Sequence, residues 1–485
     1  MGIPNRIREI ESEIDSYIRE LPIWKASKDA LLGDIMGAYR DGVEVTFVIV
    51  LHALTIDAPL PEFGAATGLE SQVRAGMLWA LKWASEYCPL DGQCGIYSDG
   101  ELEELLLLGA HYEVFVDALK RNKHDLHTVQ VDERQRTITF YEGGPVTAYD
   151  SQIVQHQRII GSLPHVSLTE DGDQLTARWT AGDYRRVTRK LRELSALDEK
   201  TILVDPVLLA RLGKPPISMP QPTLVWFERP AHAPDCYVFD DLTLPRMIDD
   251  KLKWKLVSFL DRPVVQVRGR YCAVSTDIMT ISRIDDYMLR LAAQVDNDQY
   301  NRATTLREER MIGICKDAFE KSPRPWTADA HLRLTDPLAE IDILATRLDT
   351  SVVLQLKSTL FPETPWEVYK RNEDIINGVQ HTKRILDRGA GKYGFVVTDG
   401  YRGDFSCWAE ALAAGIPIAT LDDLDVIASD PAEAVSEVKA RVGITHPTPE
   451  ASESPGGLLD REWRMAGWTF RLVDDKVPPR GEDDL

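Results

Sequence analysis

LAEIDILATRLDTSVVLQLKST, residues 338–359, decides how the chain reads. Successive side chains of a β-strand point to opposite faces. Glu340, Asp342 and Leu344 then share one face of a first strand, and Ile341 and Ile343 take the other. In a second strand Val353, Gln355 and Lys357 share a face, with Leu354 and Leu356 behind them. A turn centred on Leu348–Thr350 makes the two an antiparallel hairpin and sets Asp342 opposite residue 356, between Gln355 and Lys357. A carboxylate, an amide oxygen and an ammonium thus gather on one face of an apolar ribbon. Burying them there costs several kcal/mol unless they are paired or bind an ion.

Working outward, the flanking sequence alternates helices and strands. A helix is expected over 303–320 and, after the hairpin, another over 366–388. YGFVVTD (393–399) reads as a strand, 404–414 as a helix and IPIATL (416–421) as a final strand. Before the hairpin, Glu308, Ile312, Cys315 and Phe319 step by about one helical turn. That places Glu308 along a buried stripe with Glu309 beside it, and the spacing does not separate the two.

An Asp, a turn and then Gln-x-Lys on the next strand resembles the metal site of the PD-(D/E)xK nuclease superfamily. The Gln355-Leu356-Lys357 form is similar to the Mrr-like restriction endonuclease branch. IDILA followed by LKST is similar to archaeal Holliday junction resolvases. The likeness spans about residues 300–430. It implies an α/β core of the restriction-endonuclease kind, a mixed sheet flanked by helices. It further implies DNA phosphodiester hydrolysis with Mg²⁺, for which Mn²⁺ can substitute. In that scheme Asp342, the Gln355 side-chain oxygen and the Leu356 carbonyl hold the metal, and Lys357 orients water and offsets transition-state charge. Glu308 or Glu309 adds a carboxylate from the preceding helix. Gln380, with Lys383 and Arg384 one turn on, resembles the family's site-facing helix. Lys370, Arg371, Arg388 and Lys392 complete a basic cluster expected to meet phosphates, against the alternative of a solvated face. Restriction or antiviral defence is the implied setting. A nuclease fold that binds without cutting remains open, because Gln355 stands where Glu is usual. So does an unrelated α/β hairpin.

The rest of the chain resembles no family. Residues 1–125 read as a helical domain, 126–295 as a mixed α+β domain, 296–430 as the nuclease-like domain and 431–485 as linker and tail. Ile7, Ile10, Ile14, Tyr17 and Leu21 mark one helical seam, for packing at home or for a homodimer. Helices are also expected over 70–88 and over 99–121, the latter capped by Ser98 or Asp99. HTVQV (127–131) and RTITFY (136–141) read as a hairpin, 223–228 and 264–275 as strands, and 182–197 as a basic amphipathic helix. The tail, LDREWRMAGWTFRLV, suggests one strand.

Charge and cysteine usage narrow the function classes. The 485 residues carry a net charge of -21, so no nucleic-acid-binding field coats the whole molecule. Residues 300–427 hold 16 Lys+Arg against 20 Asp+Glu, and the acidic excess lies elsewhere. That excess points to a protein partner for the N-terminal region. The six cysteines contain no CxxC pair, and His232, Asp235 and Cys236 lack a fourth ligand, which speaks against structural zinc. MGIPNRIREIESEID has no apolar signal core, and the apolar run Val45–Ile56 is too short to span a bilayer. A cytoplasmic protein with reduced thiols is expected.

Overall fold

A computed structural model describes residues 3–38, 76–123 (without 78, 90 and 94), 128–141, 167–174, 180–186 (without 184), 289, 297–333, 340–362 (without 359), 365–444 and 462–473, together with six short strands between 201 and 275. Helices include α1 (Ile3–Arg19), α2 (Asp99–Lys123), α3 (Asn297–Glu320), α4 (Pro365–Asp387), α5 (Phe405–Ala414), α6 (Leu424–Ser429) and α7 (Pro431–Ile444), and residues 28–38 and 79–87 are helical too, the latter within the helix expected over 70–88. The strands are β1 (Thr128–Asp132), β2 (Thr137–Tyr141), β3 (Thr201–Leu203), β4 (Ser218–Pro220), β5 (Leu224–Glu228), β6 (Val238–Phe239), β7 (Val264–Val267), β8 (Tyr271–Ser275), β9 (Thr327–Arg333), β10 (Glu340–Arg347), β11 (Thr350–Lys357), β12 (Tyr393–Thr398), β13 (Ile418–Thr420), β14 (Glu462–Met465) and β15 (Trp468–Val473). The basic helix expected beyond residue 186, the run Val45–Ile56 and the AHAPDC stretch lie outside the described residues. Among the described residues no helix is long and apolar enough to cross a membrane.

The chain divides into two compact, mixed α/β units, each discontinuous in sequence. The first comprises Met1–Tyr149, Asp183–Ser282 and Ser454–Leu485. Its best-defined sheet has the order β1-β2-β15-β14, in which the tail supplies two strands where one was expected. Ala466 and Gly467, both at positive φ, make the tight turn between them. On α1 the buried stripe is Ile7, Ile10, Ile14 and Ile18, with no part for Tyr17, which is 45% exposed. The expected seam therefore drifts by one residue, as a helix of 3.6 residues per turn requires when continued past two turns. Ser98 caps α2: Glu101 N donates to its hydroxyl and Ser98 N donates back to Glu101 at 2.7 Å. Phe115 of α2 meets Phe140 and Phe470 edge-on at 6.4 and 5.2 Å, joining helix to sheet.

The second unit, Asp150–Gly182 with Arg283–Glu453, is built on the sheet β13-β12-β11-β10-β9. β9, β10 and β11 are antiparallel, whereas β11, β12 and β13 are parallel. One face carries a large apolar cluster, with Ile343, Ala345, Leu354, Leu356, Phe395 and Val397 set against Met311, Cys315 and Phe319 of α3 and Ile427 of α6. The opposite face holds a smaller cluster of Ile341, Val353 and Ile385, the last from α4. The early segment near residue 170 belongs to this unit. Leu168 enters the large cluster, and the Arg310 guanidinium pairs with Asp173 through two bonds, one of them 2.6 Å.

Two features of the hairpin differ from the sequence reading. The turn has two residues, Leu348 and Asp349, so the register runs from Arg347↔Thr350 to Ile343↔Leu354. Continued by one residue, it sets Asp342 opposite Gln355 and not opposite residue 356. Leu348 takes φ 52°, a conformation usually left to glycine, and this unusual residue shortens the turn. The strict alternation of faces also slips at Asp342, since Ile341 joins the small cluster and Ile343 the large one. His331 on the neighbouring strand takes φ 52° at the same level.

Candidate active site

Asp342 sits where the β10–β11 ladder ends. Its Oδ2 accepts two hydrogen bonds from β11, from Gln355 Nε2 at 2.5 Å and from the Leu356 amide N–H at 2.7 Å. An N–H that would join the ladder in a regular pair is thus used on a side chain. The N–H and C=O of one strand residue point to the same side, so the Leu356 carbonyl also faces β10. Burial pushes the Asp342 carboxyl above its ordinary range. The Leu356 N–H and the Lys357 ammonium pull it down, and Glu308 and Glu340 push it up.

Gln355 is 6% exposed, and its Oε1 is buried with no hydrogen-bond partner. A buried carbonyl oxygen left unpaired costs about 1–3 kcal/mol. The Nε2 arm of the amide is the one turned to Asp342, and the oxygen on the other arm is of the hard-donor type that a divalent cation takes. Lys357, half-buried at the C-terminal end of β11, pairs in register with Thr398, and its ammonium makes no hydrogen bond or ion pair among the described residues. Asp342, the Gln355 oxygen and the Leu356 carbonyl therefore form a donor set that fits a divalent cation. Among the described residues no group of three or more His, Cys, Asp and Glu is placed to hold a metal. A set with one carboxylate, one amide and one main-chain carbonyl lies outside that pattern.

The remaining predicted residues divide. Glu308 is exposed on α3, not along the buried stripe where the sequence put it, a place that Arg307 takes instead; it acts electrostatically on Asp342. Glu309 lines a separate hollow with Glu170, Arg310 and Asp317. Next to Glu308, Arg307 forms a fully buried ion pair with Asp399, which follows β12, and this fixes that turn of α3 to the sheet. Glu340 is exposed, 3.3 Å from the His331 ring. Gln380 is turned away from Lys357 and donates to Glu410 of α5 at 3.4 Å. Lys370, Arg371 and Lys383 pair along α4 with Glu373, Asp374 and Asp387, at 2.7, 3.2 and 3.0 Å. Arg384 is exposed and makes no ion pair among the described residues, and Lys392 lies over the Tyr393 ring.

His381 was not singled out by its sequence. It lies on α4 close enough to Lys357 for the ammonium to act on its ring. Gly378, one turn earlier, makes room for Lys357: a Cβ there would stand 3.0 Å from the Lys357 Cε.

No family model matches the chain, and no curated protein matches it. Among solved structures, the crystal structure of protein VC1899 from Vibrio cholerae is similar at 12% identity, covering 71% of this chain and 74% of that one. The TM-score is 0.17, too low for the likeness to bear on fold or function.

Proposed function

We propose that the second unit is a metal-dependent nuclease of the PD-(D/E)xK kind that hydrolyses DNA phosphodiester bonds. Restriction or antiviral defence is the setting that its Mrr-like signature implies. One observation carries the reading: a Gln355 amide whose oxygen is buried without a partner is bonded to the Asp342 carboxylate, at the end of a ribbon whose Lys357 ammonium acts on that carboxylate and makes no ion pair among the described residues. Apolar strands do not retain such a trio without a ligand to offset its cost.

Asp342, Gln355 and Leu356 would hold Mg²⁺ or Mn²⁺. A bound cation would supply Lewis-acid polarisation of the scissile phosphate and a more acidic water. The chain's own groups do the rest. Among the described residues Asp342 Oδ1 takes no hydrogen bond and is available as a ligand, while Oδ2 is held by β11. Lys357 donates to the attacking water and offsets charge building on the phosphate. Glu308 adds negative charge on the α3 side, which favours cation binding.

A second reading has its own observation. The Gln355 amide donates to Asp342 and so satisfies the carboxylate without any ion, as a Glu at 355 would not. On that account the unit binds DNA or protein and does not cut. The test incubates the protein with plasmid, linear duplex and single-stranded DNA in Mg²⁺, Mn²⁺ or EDTA. Cutting that needs metal and disappears in Asp342→Ala and Lys357→Ala supports the nuclease. Binding without cutting in every metal supports the second reading.

A further inference from the structure

The apolar seam of α1 divides. Ile7, Ile10 and Ile14 are buried at home, whereas Tyr17 and Leu21 line a hollow of about 300 Å³ in the first unit. Its other walls are the outward stripe of α2 and Arg464 of β14, an edge strand. His111 of α2 stacks flat on Trp463 at 5.8 Å, which brings the end of that stripe beside Arg464. Two large apolar side chains stand open in this lining, Tyr17 at 45% and Leu107 at 50% exposure, and Leu21 and Leu108 are half-buried. A single exposed leucine is ordinary on a protein surface. Two apolar side chains protruding at the rim of a hollow are not, because one patch that carries both plug and socket can fit a copy of itself.

The charges select that occupant. Glu101, Glu104, Leu108 and His111 step by 3, 4 and 3 along α2, so the stripe runs from two carboxylates through leucine to His111, with Arg464 beside it. Glu101 is held by Ser98. Glu104 and Arg464 are exposed, and among the described residues neither makes a hydrogen bond or an ion pair. Residues 104 and 111 are seven apart on the helix, or roughly 10 Å. A two-fold axis through their midpoint, at Leu107 and Leu108, lays a second α2 antiparallel on the first. Leucine then meets leucine at the centre, and Glu104 of each copy faces His111 and Arg464 of the other. A groove acidic along its whole length would repel its own copy. This one, acidic at one end and basic at the other, attracts a reversed copy and repels a parallel one.

We propose that this hollow is the interface of a two-fold symmetric homodimer, in which α2 pairs antiparallel with α2 of a second copy. Nothing in this rests on the nuclease reading. The lining is smaller than the roughly 20–30 residues a side of a standard interface, so the dimer is weak, with a Kd of about 1–100 µM.

The test is sedimentation velocity of the full-length protein over about 1–200 µM, a range that brackets that Kd. Wild type should pass from monomer to dimer. Leu107→Asp, which sets two like charges at the axis, should weaken the dimer about 100-fold. Glu104→Arg and Arg464→Glu should each weaken it about tenfold or more, because every contact occurs twice across a two-fold axis. In an equimolar mixture of these last two variants each reversed charge finds its opposite on the other chain. The mixture should associate within about threefold of wild type, and so should the double variant alone. Thermal melts check that each variant is folded. A wild type that is monomeric at every concentration overturns the proposal and leaves the hollow to a different protein. A dimer indifferent to Leu107→Asp and to both reversals overturns it, since it then forms elsewhere. Variants that lower the melting temperature of a concentration-independent monomer place the hollow's cover within the same chain, which overturns it too. Weakening by each reversal without recovery in the mixture refutes the antiparallel pairing.

Discussion

Gln355→Glu puts the proposed ion site to a test that does not depend on activity. Gln355 is 6% exposed and its amide lies 2.5 Å from Asp342 Oδ2. A Glu in the same rotamer sets carboxylate against carboxylate, with charge centres about 4 Å apart. Two like charges at that distance repel by about 4 kcal/mol at an effective dielectric constant near 20. The chain can instead keep one carboxyl protonated. From an ordinary Glu pKa of about 4.3, that costs about 3.7 kcal/mol at pH 7, at 1.36 kcal/mol per unit. Both routes give a loss of about 3–4 kcal/mol without metal. The sign with pH follows from linkage. The shared proton raises the folded-state pKa, so the variant's stability is intact below the ordinary carboxylate range and drains as pH rises. At pH 5 the same arithmetic leaves a loss of about 1 kcal/mol. A divalent cation can replace the proton, and at 100 times its Kd it returns about 2.7 kcal/mol. Melts of wild type and variant at pH 5 and pH 7, in EDTA and in Mn²⁺, should show a deficit of roughly 6–14 °C at pH 7 in EDTA. The deficit should be much smaller at pH 5 and largely restored by Mn²⁺. A variant that melts like wild type at pH 7 in EDTA, or gains nothing from Mn²⁺, would show that residues 342 and 355 do not share an ion site.

Three further outcomes are expected. Asp342→Asn can keep both hydrogen bonds on its amide oxygen while removing a buried charge. It should abolish cleavage yet unfold in urea at the wild-type midpoint or later at pH 7. Because burial raises the Asp342 pKa, wild type gives up stability as pH rises through that value, so the gap should close at acid pH. Gly378→Ala should gain about 0.8–1 kcal/mol in helix propensity and spend it on crowding the Lys357 Cε. Steady-state kinetics should show a fall of about tenfold or more in kcat at nearly unchanged KM and Tm; unchanged kcat would refute a positioning role for Gly378. Arg307→Ala strands Asp399 in the interior and should cost about 3–5 kcal/mol in chemical denaturation. A cost below about 1 kcal/mol would mean that the pair does not hold α3 to the sheet.

What the sequence could reveal here depended on the range of the interaction. β10, β11, α4, β12 and α5 were legible because each is a local pattern, with apolar residues at period two or near 3.6. So was the contact of Asp342 with Gln355, which needs only two adjacent strands. The register was missed by one residue because Leu348 gives no glycine-like signal for a two-residue turn. β9 was missed because it is an edge strand whose exposed positions are Thr327, Asp329, His331 and Arg333, and whose inward residues are Ala328, buried, with Ala330 and Leu332 only half-buried. The docking of Leu168 and Asp173 on α3 was beyond local reasoning, since partners some 140 residues apart leave no periodic trace.

The exchange of Gln380 for His381 has a different lesson. Val379, Thr382 and Ile385 are buried on α4 and mark the stripe that faces the sheet. At 100° per residue Gln380 falls nearly opposite that stripe, while His381 falls on its flank beside Gly378. The helix period alone therefore placed His381 nearer to Lys357, and a family-style Gln drew the eye one position too early. Charge was ambiguous for a related reason. A basic run on a helix reads as one patch, yet carboxylates at i+3 and i+4 pair with Lys370, Arg371 and Lys383, and the Asp387 that Arg384 could also reach is held by Lys383. Such exposed pairs contribute only about 0.3–0.5 kcal/mol, so they do not forbid phosphate contact. They do mean that DNA must displace a carboxylate at those positions. Arg384 makes no ion pair among the described residues, so a phosphate that meets it displaces no carboxylate.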